Sequence, residues 1–304
     1  MFKKDIDFNK AFKYVLMGFA VFFAIGIICT VFLGVNLDLS FKGGTRIIYS
    51  FTGDAPDDAE KVIEEALGVD VSTSISTSYT DNEQRLVISL AGTDALSNEK
   101  QQKLEDTLTT KYKDNNLSLY DSNSTDPTLA GTFFVKSIAA VLLAGILVVA
   151  YVGIRFRKIG GVSAALTAFA ALFLDVFSAF FACVIFGLSL DSNFIAVLLT
   201  IFGYSLNDTI VIYDRVRENK SLFPRLDTAS LVNMSVNQVK TRTLVTTITT
   251  FLAVVAIIVV AEIFALTTLR SFCIPMAVGL VSGCISSLFI SSPLWVIWKT
   301  RKAK

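Results

Sequence analysis

The chain has 304 residues, 53% of them hydrophobic and only 17% charged, with a formal net charge of +1. Its mean hydropathy is +0.61, whereas a soluble domain carries about 25% charged residues. This apolar excess excludes a soluble enzyme, a disulfide-stapled secreted domain and a membrane β-barrel, whose signature is short alternating strands.

Apolar runs cover residues 14–37, 137–154, 159–174, 192–207, 243–261 and 271–298. A spanning helix needs roughly 17–25 mostly apolar residues, and each run reaches that, in some cases once a single interior acid is admitted. The expected fold class is an α-helical polytopic membrane protein with six transmembrane helices. The first run is too long for a signal peptide and lacks a small-residue cleavage site before Asn36, so it reads as a retained first span. The expected organisation is residues 1–35 as N-terminus and first span, 36–131 as an outer domain, and 132–304 as a five-helix membrane domain.

Within the outer domain, residues 46–51 and 84–90 predict strands, with weaker strand signals at 70–78 and 117–122. Residues 56–67 and 98–113 predict helices, the second with Ser97 as N-cap. The order β-α-β-β-α-β is that of an α+β ferredoxin-like split unit. The Ser/Asp/Asn-rich stretch 120–128 predicts a hinge-like linker into the second span.

Charge supplies the orientation. Residues 36–130 hold 17 acids against 8 bases, while the rest of the chain holds 9 against 19. Bases cluster at Lys3, Lys4, Lys10 and Lys13, at Arg155, Arg157 and Lys158, at six positions between residues 215 and 242, and at four between 299 and 304. These clusters fall on alternate sides of six spans, so both termini are expected in the cytoplasm. The acidic segment 36–131 is then extracytoplasmic. The basic connection 214–242, with Leu226, Leu231, Met234 and Val239 among polar residues, is expected to lie along the membrane surface. Cys29, Cys183, Cys273 and Cys284 fall in apolar runs without metal-ligand spacing, and there is no histidine, so no metal or cofactor is expected.

Ionisable residues inside a bilayer cost at least a few kcal/mol and are functional candidates by default. Asp175 lies near the middle of the third span and Asp208 lies in the fourth. Thr200, Gly203, Tyr204, Asn207 and Asp208 are spaced by threes and fours, which places them on one helical face. Arg242 stands at the entrance of the fifth span, followed by Thr246, Thr249 and Thr250 on a similar face. An acid and an arginine among hydroxyls can serve a mobile proton or form a packing ion pair, and the residues alone leave both open. Asp175 can equally hydrogen-bond a neighbouring helix. Glu262 and Arg270 are placed at the outer boundary, snorkelling into the headgroup region. Gly279, Gly283, Ser287 and Ser291 recur every four residues in the sixth span, a spacing that lets helices approach closely.

Two chemical readings fail on motif. An intramembrane aspartyl protease needs Gly-x-Gly-Asp, but Asp208 follows Ser205-Leu206-Asn207. Lys42-Gly43-Gly44-Thr45 lacks the full phosphate-loop spacing and reads as a backbone turn.

Longer motifs carry a resemblance. The segment from Asp38 through Gly43, Gly44 and Thr45 resembles the Asp-Phe-x-Gly-Gly-Thr-type motif of the SecD/SecF family. Residues 203–219, GYSLNDTIVIYDRVREN, are similar to that family's most diagnostic segment, and Thr241-Arg242-Thr243 and residues 282–293 also fit. The resemblance covers essentially the whole chain. It implies a non-enzymatic member of the resistance–nodulation–division superfamily in the bacterial inner membrane. Such a chain works with SecD beside the SecYEG channel, with YajC and YidC as further partners, on a translocating secretory polypeptide and without nucleic acid. It further implies that protons drive the movement of the outer domain. Asp208 and Arg242 match the family's important membrane residues, with Asp175, Asn207, Tyr204 and Thr246 around them and residues 38–45 as the hinge. Many members have His-Asp in the third span where this sequence has Leu174-Asp175, so any proton role of a histidine there is lost. Two alternatives stand beside this reading: a proton-coupled exporter of small molecules, and a non-coupling scaffold of the channel.

Overall fold

The structure is a computed structural model that describes residues 5–53, 59–69, 71–77, 84–91, 98–112, 115–264 and 266–302. Six helices are long and apolar enough to cross a membrane, as expected of a polytopic membrane protein. They are α1 (Phe8–Leu33), α5 (Pro127–Arg155), α6 (Gly161–Ile185), α7 (Ser192–Leu222), α8 (Thr228–Ile263) and a composite sixth span. That last span consists of α9 (Thr267–Ser286), one π-helical turn (Ser287–Ser291) and α10 (Ser292–Lys302). Asp7, Asp126, Asp191 and Asp227 cap α1, α5, α7 and α8 by accepting a backbone N–H of the first turn.

Between α1 and α5 lie α2 (Leu39–Lys42), β1 (Gly44–Phe51), α3 (Ala59–Leu67), β2 (Ser72–Thr77), β3 (Gln84–Ala91), α4 (Asn98–Lys111) and β4 (Ser118–Thr125). The strands form one sheet in the order β2-β3-β1-β4, with every neighbouring pair antiparallel. Alternation decides which face is covered: Ile47, Tyr49 and Phe51 on β1 and Leu86, Ile88 and Leu90 on β3 are buried. They pack with Ile63 and Leu67 of α3 and Leu104 and Leu108 of α4. The expected Ser97 cap lies outside the described residues, as do the ends of several expected elements (56–58, 70, 78 and 113).

Two expectations are corrected. Residues 120–128 are not a linker: 120–125 belong to β4, Asp126 is a cap, and α5 begins at Pro127. The hydroxyl-rich composition suits an edge strand, where Ser118 Oγ meets Ser50 Oγ at 2.7 Å and Ser124 Oγ meets Thr45 Oγ1 at 3.0 Å. Nor is 214–242 a loop. Helices α7 and α8 run on into a hairpin joined by Phe223–Asp227, because its polar side chains satisfy one another. Asn219 Nδ2 donates to Ser235 Oγ and to Gln238 Oε1, both at 2.8 Å. Leu231, Val232 and Val236 are buried in the same cluster as Phe8.

The membrane helices are unequally enclosed. Spans α6, α7 and α9–α10 form the core, while α1, α5 and α8 present most of their apolar surface outward. The sheet domain is strapped to this bundle by residues 36–45. Asp38 N donates to Leu190 O (2.9 Å) and Leu190 N to Asn36 O (2.7 Å), a short bridge to the α6–α7 turn. Phe41 stacks on Phe133 and meets Phe134 edge-on, both on α5. Asp38 caps α2 through Ser40 N (3.0 Å) and pairs with Arg46 of β1.

Burial disfavours the charged form of Asp38, but the Ser40 hydroxyl and amide and the Arg46 guanidinium outweigh it and hold the carboxyl below the usual carboxylate range. A carboxyl lowered in this way adds stability in full above its unfolded value of about 3.9, and that stability is lost as pH falls through the folded value. The strap is therefore expected to stay closed down to about pH 5 and to loosen only below about 4, read as amide hydrogen exchange around Lys42, and at neutral pH trypsin should cut only slowly at this exposed lysine. Asp38→Asn should be cut faster already at neutral pH. Equal cleavage of the two proteins would show that the charge does not hold the strap.

Candidate functional site

Asp175 is fully buried on α6, among residues of α7 and α9. Ser205 of α7 donates to its Oδ2 at 2.7 Å, Ser286 of α9 to the same oxygen at 2.9 Å, and Ser282 to Oδ1 at 2.7 Å. Glycine makes this convergence possible. A Cβ on Gly283 would sit 3.1 Å from Ser205 Cβ and 3.6 Å from Asp175 Oδ2, and one on Gly279 would overlap Ile201. The close-approach stripe expected from the sequence thus faces α6 and α7 of this same chain. Its third member, Ser287, lies in the π turn and donates to Ser205 O at 3.1 Å.

Asp208, one turn beyond Ser205 on α7, is 3% exposed, and its Oδ2 is buried without a hydrogen-bond partner among the described residues. Arg242 acts on it electrostatically, yet no ion pair within 4.0 Å joins them among the described residues. The packing ion pair left open by the sequence is therefore not formed. The rest of the stripe does not surround Asp208: Thr200, Gly203 and Asn207 on α7 and Arg242, Thr246 and Thr249 on α8 are exposed, with Tyr204 and Thr250 half-buried. Tyr204 Oη and Thr250 Oγ1 meet at 3.5 Å, which ties the two helices together behind this surface. A groove of about 620 Å³ opens beside Arg242, lined by Asp214, Arg215, Glu218 and Gln238. A carboxylate oxygen without a donor, an arginine that acts on it from beyond 4.0 Å and a polar outward face form an arrangement that can exchange a proton. It also leaves polar surface uncovered within spanning helices.

The remaining expected residues fall elsewhere. Asp38, Gly43, Gly44 and Thr45 form the strap and the start of β1, and the Lys42–Thr45 run is the expected backbone turn, with Gly43 at φ +73 and Gly44 at φ +129. Glu262 and Arg270 pair at 3.2 Å, each about half-exposed. The four cysteines are free thiols, and Cys183, Cys273 and Cys284 are buried. Sequence reasoning missed Ser205, Ser282 and Ser286 as partners of Asp175. Their spacing of four in the sixth span, and the run Ser205, Thr209, Tyr213 in the fourth, was the available signal. It also missed Lys240, which is 3% exposed and donates to Asn237 Oδ1 at 2.7 Å.

Comparison with known proteins supplies the lineage. The model of the family described as protein export membrane protein SecD/SecF, C-terminal, matches residues 104–301. The chain belongs to the SecD/SecF family. Its relatives include the protein translocase subunit SecF of Borreliella burgdorferi, 30% identical over 96% of this chain and 97% of that protein. The protein translocase subunit SecDF of Bacillus subtilis is 32% identical over 98% of this chain, which spans only 39% of it. Among solved structures, the translocon-associated membrane protein SecDF of Thermus thermophilus superposes with a TM-score of 0.80 at 27% identity. That match covers 98% of this chain and 39% of the other. The diagnostic SecD/SecF segment 203–219 occupies the α7 stretch that carries Asp208 and runs into the α7–α8 hairpin.

Proposed function

We propose that this chain promotes polypeptide translocation through the SecYEG channel as the SecF-type partner of SecD, drawing on the proton motive force. Relatives matched over nearly their whole length are named protein translocase subunits. In the Bacillus subtilis SecDF relative one chain carries this segment together with a further 61% of unmatched length, enough for a second half. The observation that carries the reading is the uncovered polar stripe of α7 and α8 in front of the buried, unpartnered Asp208 oxygen. A SecD partner with a polar face of its own would cover it and complete a path for protons between them. YajC and YidC would join around that pair.

Residues 36–131 are then an extracytoplasmic domain of ferredoxin-like type, a reading supported by the β-α-β-β-α-β order and the antiparallel 2-3-1-4 sheet. Residues 132–304 form the rest of the inner-membrane part, with both termini cytoplasmic, as the basic clusters favour. Protonating Asp208 would weaken its attraction to Arg242 and let α7 and α8 repack. The strap at residues 38–45 would pass that change to the outer domain as a hinge shift. One charge crossing 100 mV is worth about 2.3 kcal/mol, enough to bias a two-state hinge.

The test is Asp208→Asn in living cells, following the rate at which secretory precursors are processed while checking membrane abundance and co-purification of SecD. Precursors are expected to accumulate although the complex stays intact. Normal processing would leave a scaffold of the channel as the function, and compound resistance without SecD would point instead to a small-molecule exporter.

A further inference from the structure

Asp175 belongs to a longer chain of buried groups. Beyond Ser205 and Ser286, Ser287 Oγ lies 3.0 Å from Thr209 Oγ1. One turn further on, Tyr213 Oη lies 2.8 Å from both Thr167 Oγ1 and Ser291 Oγ. Ser163 Oγ then accepts from Trp295 Nε1 at 3.1 Å. Of the eight groups from Asp175 to Thr167, none is more than 2% exposed, and three helices supply them at spacings of about four: 163 and 167 on α6, 205, 209 and 213 on α7, 282, 286 or 287, and 291 on the sixth span. The hydroxyls fall into three sets: Ser287 meets Ser205 only at the Ser205 carbonyl (3.1 Å), and no hydrogen bond among the described residues joins Thr209 to Tyr213, so each of these two junctions takes a bridging water. The column ends at Ser163 and Trp295, where Lys299 Nζ lies 5.7 Å from the centre of the Trp295 ring at the basic end of the bundle.

We propose that this hydroxyl column is a proton path by which Asp175 exchanges a proton with the basic, cytoplasmic end, separately from the Asp208–Arg242 surface. Each hydroxyl both donates and accepts and can turn in place, which a relay requires and a merely space-filling core does not. The π turn at Ser287–Ser291 lies on the column, and single π turns are frequent at functional sites. The Asp175 oxygens are in direct hydrogen-bond contact with their serines, so the cage suits a proton and leaves no gap for a metal cation. Among titratable groups, Cys284 on α9 interacts with both Asp175 and Asp208, while Arg242 on α8 acts on Asp208. No cation is within 4.0 Å of Asp175 among the described residues. This inference rests on the proton-coupled reading for its use in the cell, but its test does not.

The test is infrared difference spectroscopy of the full chain in lipid membranes, recording protonated-carboxyl bands across pH and their rate of hydrogen–deuterium exchange. A band is expected that Asp175→Asn removes and Asp208→Asn leaves. Its exchange should slow at least tenfold in Thr209→Val and recover in Thr209→Ser, which keeps the hydroxyl and controls for folding. Absence of an Asp175-dependent band at any pH, or exchange unchanged by Thr209→Val, would overturn the proposal. Failure of the translocation reading would instead show as normal precursor processing in Asp208→Asn, independently of the band.

Discussion

Gly43→Ala is expected to unseat the outer domain from the membrane helices, whereas Gly68→Ala, at nearly the same backbone angle, is not. Gly43 has φ +73 with ψ 166, a region essentially restricted to glycine, where an alanine is strained by about 1–3 kcal/mol, and Gly68, at φ +68, meets a positive-φ penalty of about 1 kcal/mol. Their surroundings differ. A Cβ at Gly43 would overlap the backbone of Pro127, the first residue of α5, while one at Gly68 would meet nothing within 4 Å. A backbone clash cannot be relieved by turning a side chain, and overpacking typically adds about 1–3 kcal/mol. The outer domain and the bundle must therefore part at Phe41, whose contacts with Phe133 and Phe134 seat the strap. Trypsin cleavage at Lys42, compared across wild type and the two variants, reads this directly. Equal cleavage of the two variants would show that the strap does not depend on close approach to α5.

The second large effect is expected at Asp175. Asp175→Ala removes the acceptor shared by three buried hydroxyls, and each unpaired buried group costs about 1–3 kcal/mol. Ser286 can turn to Gly283 O at 3.2 Å, so the total is expected at about 3–6 kcal/mol rather than the full sum. Ser282→Ala removes one donor and leaves the other two in place, with an expected loss of about 1 kcal/mol. Thermal unfolding of the purified chain should rank the variants in that order, with Asp175→Ala far below the rest. If it unfolds with Ser282→Ala, the carboxylate does not hold the three helices together.

What the sequence made legible follows from which forces act locally. Spanning helices are declared by uninterrupted apolar length, and the strands of the outer domain by alternation at Ile47, Tyr49 and Phe51, both properties of adjacent residues. The α7–α8 hairpin was not legible, because its polar residues look solvated until Asn219 is seen to pair with Ser235 and Gln238 across the turn. Strand β4 was legible only in its first part: 117–122 carried a weak strand signal, but serine and asparagine beyond it signal turns, and only pairing with β1 makes them an edge. At the site, the two acids were identifiable because charge inside an apolar run is conspicuous. Their environments were not, since the partners of Asp175 lie 30, 107 and 111 positions away. The face of α7 that turns outward depends on packing that periodicity alone leaves unassigned.

The bridge between residues 36–38 and Leu190 bears on biogenesis. The outer domain, from β1 to β4, is complete in the chain before α6 has been made, yet its strap closes on a turn that emerges about 150 residues after it. Domains generally fold as units in the order of synthesis, so the sheet forms first and rests on α5 alone until the α6–α7 pair has been inserted. Docking is then completed only once the third and fourth spans are in place. It works as a built-in checkpoint, because a chain whose third and fourth spans insert wrongly would leave a folded but incompletely docked outer domain, open to proteases at Lys42.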